Sequence, residues 1–187
     1  IGLDGKLSLA LGARGQGRGA MAHYERNNNY VINLTKTKGA GSLAHEYGHA
    51  LDNIIAIRTD AKNPFVSGGR SERSNVDSSM LESNNIFERL MERIFKSLYY
   101  DGKKRSTFLT NLKRTNDKYL NRRNEVFART FEAMVNKRIK KAGVKNTFLV
   151  FGTSSKEYPN KMKLKSIDKN FNSFVSNVVK TLAKKKR

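Results

Sequence analysis

Two of the chain's three histidines, His45 and His49, stand four residues apart, with Glu46 beside the first. That spacing constrains the fold before anything else does. On a helix, side chains at i and i+4 lie on one face a single turn apart, close enough to reach one ion. The surrounding apolar positions agree: Leu43, Ala44, Tyr47, Ala50, Leu51, Ile54 and Ile55 keep helical spacing from Ser42 to about Arg58. Ser42 is the expected N-cap. Both imidazoles of such a helix can reach one metal ion, and Glu46 lies beside that face, placed to take a proton from water that the ion activates.

A metal centre of this kind usually takes three protein ligands. The chain has no cysteine, which excludes disulfides and every Cys-ligated site, and no histidine follows His49. A carboxylate is therefore the natural third donor. Glu125 is the best candidate, at the start of an apolar helical stretch with Val126, Phe127, Phe131, Met134 and Val135. Ala128, one turn on, is small enough to let that helix approach the histidine helix. The alternative reading of Glu125 is an N-terminal acid favoured by the helix dipole. Glu132 lies two turns further along the same face and reads as a supporting or surface carboxylate. Asp52, three residues after His49, is either a second-shell acceptor orienting an imidazole or a polar residue near the helix end. His23 reads as a structural or substrate-groove residue rather than a ligand.

The rest of the chain divides into strands first and helices after, which predicts an α+β fold. Lys6–Leu11, Ala20–Tyr24 and Tyr30–Leu34 read as short strands, with a Gly/Arg loop over Gly12–Gly19 and a polar turn over Glu25–Asn29. Thr59–Val76 looks like a mobile surface loop. Ile86–Tyr100 is a strong amphipathic helix, ended by Asp101-Gly102, and Thr107–Leu112 starts a weaker one. Phe148–Phe151 is a strand or an ordered loop. Lys163–Leu182 reads as one terminal helix before the basic tail Lys184–Arg187.

Charge is the second signal. Lys and Arg number 37 against 16 Asp and Glu, for a net charge of +21. That excess points to a polyanionic neighbour: nucleic acid bound non-specifically through phosphate contacts, an acidic partner protein or an anionic membrane face. No base-reading motif accompanies it, and no run approaches the roughly 18 apolar residues of a membrane span. The chain opens on Ile1 rather than Met, without a signal-peptide pattern. It is therefore expected to be a fragment, a processed product or part of a larger polypeptide, and the absence of Cys and of a signal-peptide pattern fits a bacterial cytoplasm or a capsid interior.

Two segments carry a family resemblance. His45-Glu46-Tyr47-Gly48-His49-Ala50-Leu51-Asp52 and Glu125-Val126-Phe127-Ala128-Arg129-Thr130-Phe131-Glu132 resemble the gluzincin metallopeptidases, and are similar to the catalytic domain of anthrax lethal factor. A closer match is the large polyvalent protein-associated domain of phage and mobile-element proteins, a family predicted to be zincin peptidases. Gly12-Ala13-Arg14-Gly15, Ala22-His23-Tyr24-Glu25, Val31-Ile32-Asn33-Leu34-Thr35-Lys36 and Gly39-Ala40-Gly41-Ser42-Leu43-Ala44 resemble its N-terminal signature. The resemblance covers roughly Leu7–Ile54 and Tyr119–Val135, and leaves out the middle and the basic C-terminal third.

The resemblance implies a zincin-like metallopeptidase domain over 1–143 and a basic, largely helical extension over 144–187. It implies Zn²⁺ held by His45, His49 and Glu125, Glu46 as catalytic base, and a protein or peptide substrate. It suggests Tyr119 as the hydroxyl that stabilises the oxyanion, where the residues alone allow an ordinary amphipathic tyrosine at a helix end. Arg122 matches a basic position of the family, whereas Arg123 stands where the family often has Pro. By the same resemblance, Tyr30–Leu34 or its neighbour would be the edge that takes up substrate backbone. The alternative function is a catalytically silent zincin-fold virion or structural protein that binds DNA through its basic surface.

Overall fold

The computed structural model describes residues 3–12, 21–27 and 30–183. The Gly/Arg loop from 13 to 20, the turn residues Asn28-Asn29 and the basic tail lie outside them. The fold is α+β, as the order of elements predicts. Three strands, β1 (Ser8–Leu11), β2 (Ala22–Glu25) and β3 (Val31–Leu34), form a sheet in the order β1-β3-β2. β3 runs parallel to β1 and antiparallel to β2. Because side chains alternate across a strand, Ile32 and Leu34 enter the core with Tyr24 and Ala22 beside them. His23, Glu25 and Asn33 share the other face, where Glu25 Oε1 lies 2.7 Å from His23 Nε2 and accepts from Asn33 Nδ2 at 3.1 Å. β3 is paired on both sides, so it offers no free edge. Among the described residues, its neighbours β1 and β2 are the edge strands of this sheet.

Helix α1 (Leu43–Arg58) packs on the core face of the sheet. Tyr24 donates its hydroxyl to Asn53 Oδ1 at 2.9 Å, tying β2 to the middle of the helix. Ser42 occupies the N-cap position, but its backbone is already near-helical and its side chain caps nothing. The start of the helix is served from elsewhere. Leu149 O accepts from Ala44 N at 3.1 Å, and Phe148 O accepts from Gly41 N at 2.8 Å. Phe148–Phe151 is thus an ordered loop whose carbonyls satisfy amides that the helix itself leaves open.

The segment from 59 to 76 is irregular but not a loose surface loop. Val66 and Ser67 are buried. Asn53 Nδ2 donates to Pro64 O at 2.6 Å, and Asp52 accepts from Ser67 N at 2.8 Å and from Ser67 Oγ at 2.5 Å. Its far side is held by the start of a later helix: Arg123 N donates to Ser71 O at 2.8 Å and Asn124 N to Gly69 O at 3.0 Å. Gly68 and Gly69 both take positive φ, which lets the chain turn tightly there. A short helix, α2 (Ser78–Leu81), follows.

The remaining elements are α3 (Ile86–Tyr99), a two-stranded hairpin of β4 (Tyr100–Asp101) and β5 (Lys104–Arg105), α4 (Thr107–Arg114), α5 (Arg123–Lys141), α6 (Lys161–Ser166) and α7 (Asp168–Ala183). The expected terminal helix is therefore two, broken at Ile167. Phe171, Phe174, Val178 and Leu182 belong to the same hydrophobic core as α1, α3 and α5. Phe174 sets its ring edge-on to both Phe87 and Phe127, with centroids 5.6 Å away in each case. Lys163, whose periodicity gives no hint of burial, sends Nζ to Ser97 O (2.9 Å), Tyr100 O (3.0 Å) and Asp101 Oδ1 (2.7 Å). It anchors α6 to the C-terminus of α3, where the helix dipole favours a cation. No helix is long and apolar enough to cross a membrane among the described residues.

Truncating Phe174 tests this unity. Phe174→Ala should cost about 3–5 kcal/mol of unfolding free energy, the usual loss for a buried aromatic, in a single denaturant transition. A change near zero, or a separate early transition for the C-terminal part, would restore the division at 143.

Candidate metal centre

The contact between α1 and α5 builds the site. A side chain on Gly48 would place its Cβ 3.1 Å from Ala128 Cα and 3.3 Å from Phe131 Cβ, so the two helices touch almost backbone to backbone. Small residues on facing turns permit that approach, as Ala128 suggests from sequence. The consequence lies one turn away. His45 and His49 on α1 face Glu125 on the first turn of α5.

Three donor atoms then converge. His45 Nε2 and His49 Nε2 are 3.2 Å apart. Glu125 straddles them, with Oε2 3.3 Å from His45 Nε2 and Oε1 3.2 Å from His49 Nε2. A tetrahedral ion about 2.0–2.1 Å from each donor separates them by about 3.3–3.4 Å. The residues therefore fit a metal ion of that geometry. Among the described residues, this is the one group of three or more such side chains close enough to hold an ion.

The electrostatics follow from crowding two imidazoles onto a buried carboxylate. Burial alone would raise the Glu125 carboxyl, but hydrogen bonds to His45 and His49 and their charge hold it well below the usual range. Burial alone would lower His45. Hydrogen bonds to Glu125 and Glu132, with the charge of Glu46, outweigh it and raise the imidazole to about 9.

Glu46 is buried, and its charge is felt by both His45 and Tyr119. Tyr119 is 51% exposed, yet its phenol feels Glu125. Burial and the carboxylates of Glu125 and Glu46 push its phenol well above the usual value. Arg122 lies over its ring, 5.3 Å from the centroid. Asp52 is fully buried beneath His49, whose charge acts on it, but its oxygens accept from Ser67. Burial raises its carboxyl to about 6 against those two hydrogen bonds. Its visible task is to pin the 59–76 segment. His23 lies on the far face of the sheet, away from this group.

A family model of the large polyvalent protein-associated domain 1 matches residues 111–182. That is less than half of the chain. It supports the phage and mobile-element side of the resemblance. The match takes in Tyr119, Arg122, Glu125, Glu132 and the basic C-terminal third, and stops short of His45, Glu46 and His49. The expectation that the C-terminal third lies outside the resemblance is thereby corrected. Its physical reason is visible in the fold, where α6 and α7 complete the core on which α5 rests. No curated protein and no solved structure matches the chain.

Several contacts around the site were not legible in sequence. Arg123, which opens α5, is almost wholly buried. Its Nη2 meets Glu92 Oε2 at 2.6 Å, its Nε donates to Ser67 O at 2.5 Å, and its guanidinium lies 3.7 Å from the centre of the Phe95 ring. This clamp sets the entry of the helix that carries Glu125. Arg129 is also buried, donates to Leu120 O, and feels Glu125, Tyr158 and Tyr119. Glu132 is buried, with Oε2 3.5 Å from His45 Nδ1, and it accepts from the Tyr158 hydroxyl at 2.8 Å. Nothing in the pattern around Tyr158 marks it. It lies in an irregular segment, and only the path of the chain brings it to α5.

The His45 value fixes the sign of a pH effect. Below about 9 the metal-free imidazole carries a second proton that an incoming ion must displace. Apparent zinc affinity should therefore fall by about tenfold per pH unit as pH drops from 9 towards 7. Competition against a chromophoric chelator measures it. A flat profile over that range would show that His45 is neutral in the metal-free protein.

Proposed function

We propose that the chain is a zinc-dependent endopeptidase of gluzincin type, a module of a phage or mobile-element protein. The observation that carries this reading is the spacing of the His45, His49 and Glu125 donors at 3.2–3.3 Å, beside a second carboxylate and a tyrosine hydroxyl. Those three side chains would hold the ion and leave a fourth position open. Bound there, zinc acidifies water and polarises the carbonyl of a peptide bond. Glu46 takes the proton of the attacking water and delivers it to the leaving amine. Tyr119 keeps its proton far above neutral pH, so its hydroxyl can donate a hydrogen bond to the developing oxyanion. Its half-exposed ring leaves that hydroxyl within reach of a substrate.

Substrate is a protein or peptide. Extended backbone can add to the open edge of β2, since β3 is already paired on both sides. Self-processing, a virion partner and a host protein all satisfy this chemistry. The bacterial cytoplasm and the virion interior are the compartments in which such a module would work.

Glu46→Gln should keep the zinc and lower peptide hydrolysis by about 10²–10⁴-fold, the range for loss of a general base. Hydrolysis at the wild-type rate by the zinc-loaded variant would sink the mechanism.

A second reading is favoured by one observation, the net charge of +21. Here the fold is kept as a virion or structural protein that binds nucleic acid through its basic surface, with the site catalytically silent. Binding of this kind neutralises phosphates and releases counterions. Its affinity for DNA of unrelated sequences should be similar and should fall by about 10³–10⁵-fold between 50 and 200 mM salt if 6–10 phosphates are contacted. No binding at low salt would overturn it.

A further inference from the structure

The segment 142–160, which joins α5 to α6, is stitched to both ligand-bearing helices. Leu149 O accepts from Ala44 N at the start of α1. Thr153 Oγ1 accepts from Asn136 Nδ2 on α5 at 2.8 Å. Tyr158 donates its hydroxyl to Glu132 Oε2 on α5 at 2.8 Å, and that same oxygen lies 3.5 Å from His45 Nδ1. A chain of polar groups therefore runs from this segment to the back of the imidazole, Tyr158 to Glu132 to His45. The front of the ring, Nε2, points at His49 and Glu125.

The chemistry of a neutral imidazole gives this chain a consequence. It carries one proton, and it can offer a lone pair at Nε2 only if that proton sits on Nδ1. A carboxylate facing Nδ1 accepts from it there and so selects the tautomer that can ligate. Glu132 is buried, so a mobile carboxylate would be costly, and the tyrosine hydroxyl occupies one lone pair of the oxygen and holds its orientation.

We infer that Glu132 and Tyr158 are positioning residues of the metal centre: Tyr158, from the segment after α5, fixes Glu132, and Glu132 fixes the ring and tautomer of His45. This rests on the reading of His45, His49 and Glu125 as metal ligands. It makes part of the C-terminal third a working component of the centre, with Tyr158 standing 26 positions after Glu132.

The test uses the full chain with zinc as the probe, in wild type, Glu132→Gln and Tyr158→Phe. Glu132→Gln should weaken zinc binding by about 10–100-fold, the usual effect of removing such a partner. Tyr158→Phe should weaken it by less, with the fold retained by circular dichroism. The second readout is the His45 Nδ1–H proton resonance of the zinc-loaded protein. In wild type it should lie downfield and exchange slowly with water. It should move upfield and exchange faster in Glu132→Gln, and shift in the same direction in Tyr158→Phe, a change that altered packing alone would not produce. Variants that hold zinc as tightly as wild type, with the resonance unmoved, overturn the inference and leave the metal centre standing. Wild type that takes up no zinc overturns the metal centre, and the inference falls with it. If Glu132→Gln fails to fold, Tyr158→Phe decides, because it removes one oxygen and keeps the ring.

Discussion

The close passage of α1 over α5 is the contact on which the rest depends. A metal site made from two helices needs donors about 3.3 Å apart, and side chains of His and Glu length reach that only when the helix axes come near. Gly48 and Ala128 remove the bulk that would hold the helices apart. A side chain on Gly48 would press on Ala128 Cα and Phe131 Cβ and so push the two helices apart. The apolar flanks then hold the contact in place: Tyr47 stacks on Phe131, and Phe131 packs on Phe127 and Phe171.

A contact of this kind sets distance but not register along the helices. Two polar devices supply that. The Arg123 guanidinium ties the first turn of α5 to Glu92 on α3 and to the Ser67 carbonyl, while Asp52 on α1 holds Ser67 from the other side. The 59–76 segment is thus a strut between α1 and α5. The buried charges of Arg123 and Glu92 are tolerable because they meet each other. Removing one partner would leave the other uncompensated, which is the costly way to disturb such a pair. At the opposite end, the loop 148–151 caps α1 through backbone carbonyls.

The charge distribution separates two layers of this protein. Glu46, Glu125 and Glu132 are buried at or beside the candidate centre, and Glu92 is buried next to it in its pair with Arg123. The exposed lysines and arginines lie outside them, many on the surfaces of α5, α6 and α7. An acidic interior centre inside a basic shell favours a cation within and a polyanion without. The two proposed roles therefore draw on different residues and do not compete for the same surface.

Local pattern alone determined a good part of this. The i, i+4 histidines on an apolar helical repeat specified α1, and the absence of Cys and of any later His left a carboxylate as the natural third donor, with Glu125 placed at the start of a second apolar helix. The α+β order and the strand positions followed from period-2 and period-3.6 spacing, which depend only on neighbours in the chain. What tertiary structure decided are the contacts between residues distant in sequence. No periodicity says that β3 is the centre of the sheet, that Asp52 serves Ser67, that Arg123 is buried on Phe95, or that α7 fills the core against Phe87 and Phe127. Tyr158 is the clearest case. Its meeting with Glu132 is created by the path of an irregular segment, and irregular segments carry no repeat from which a partner can be read.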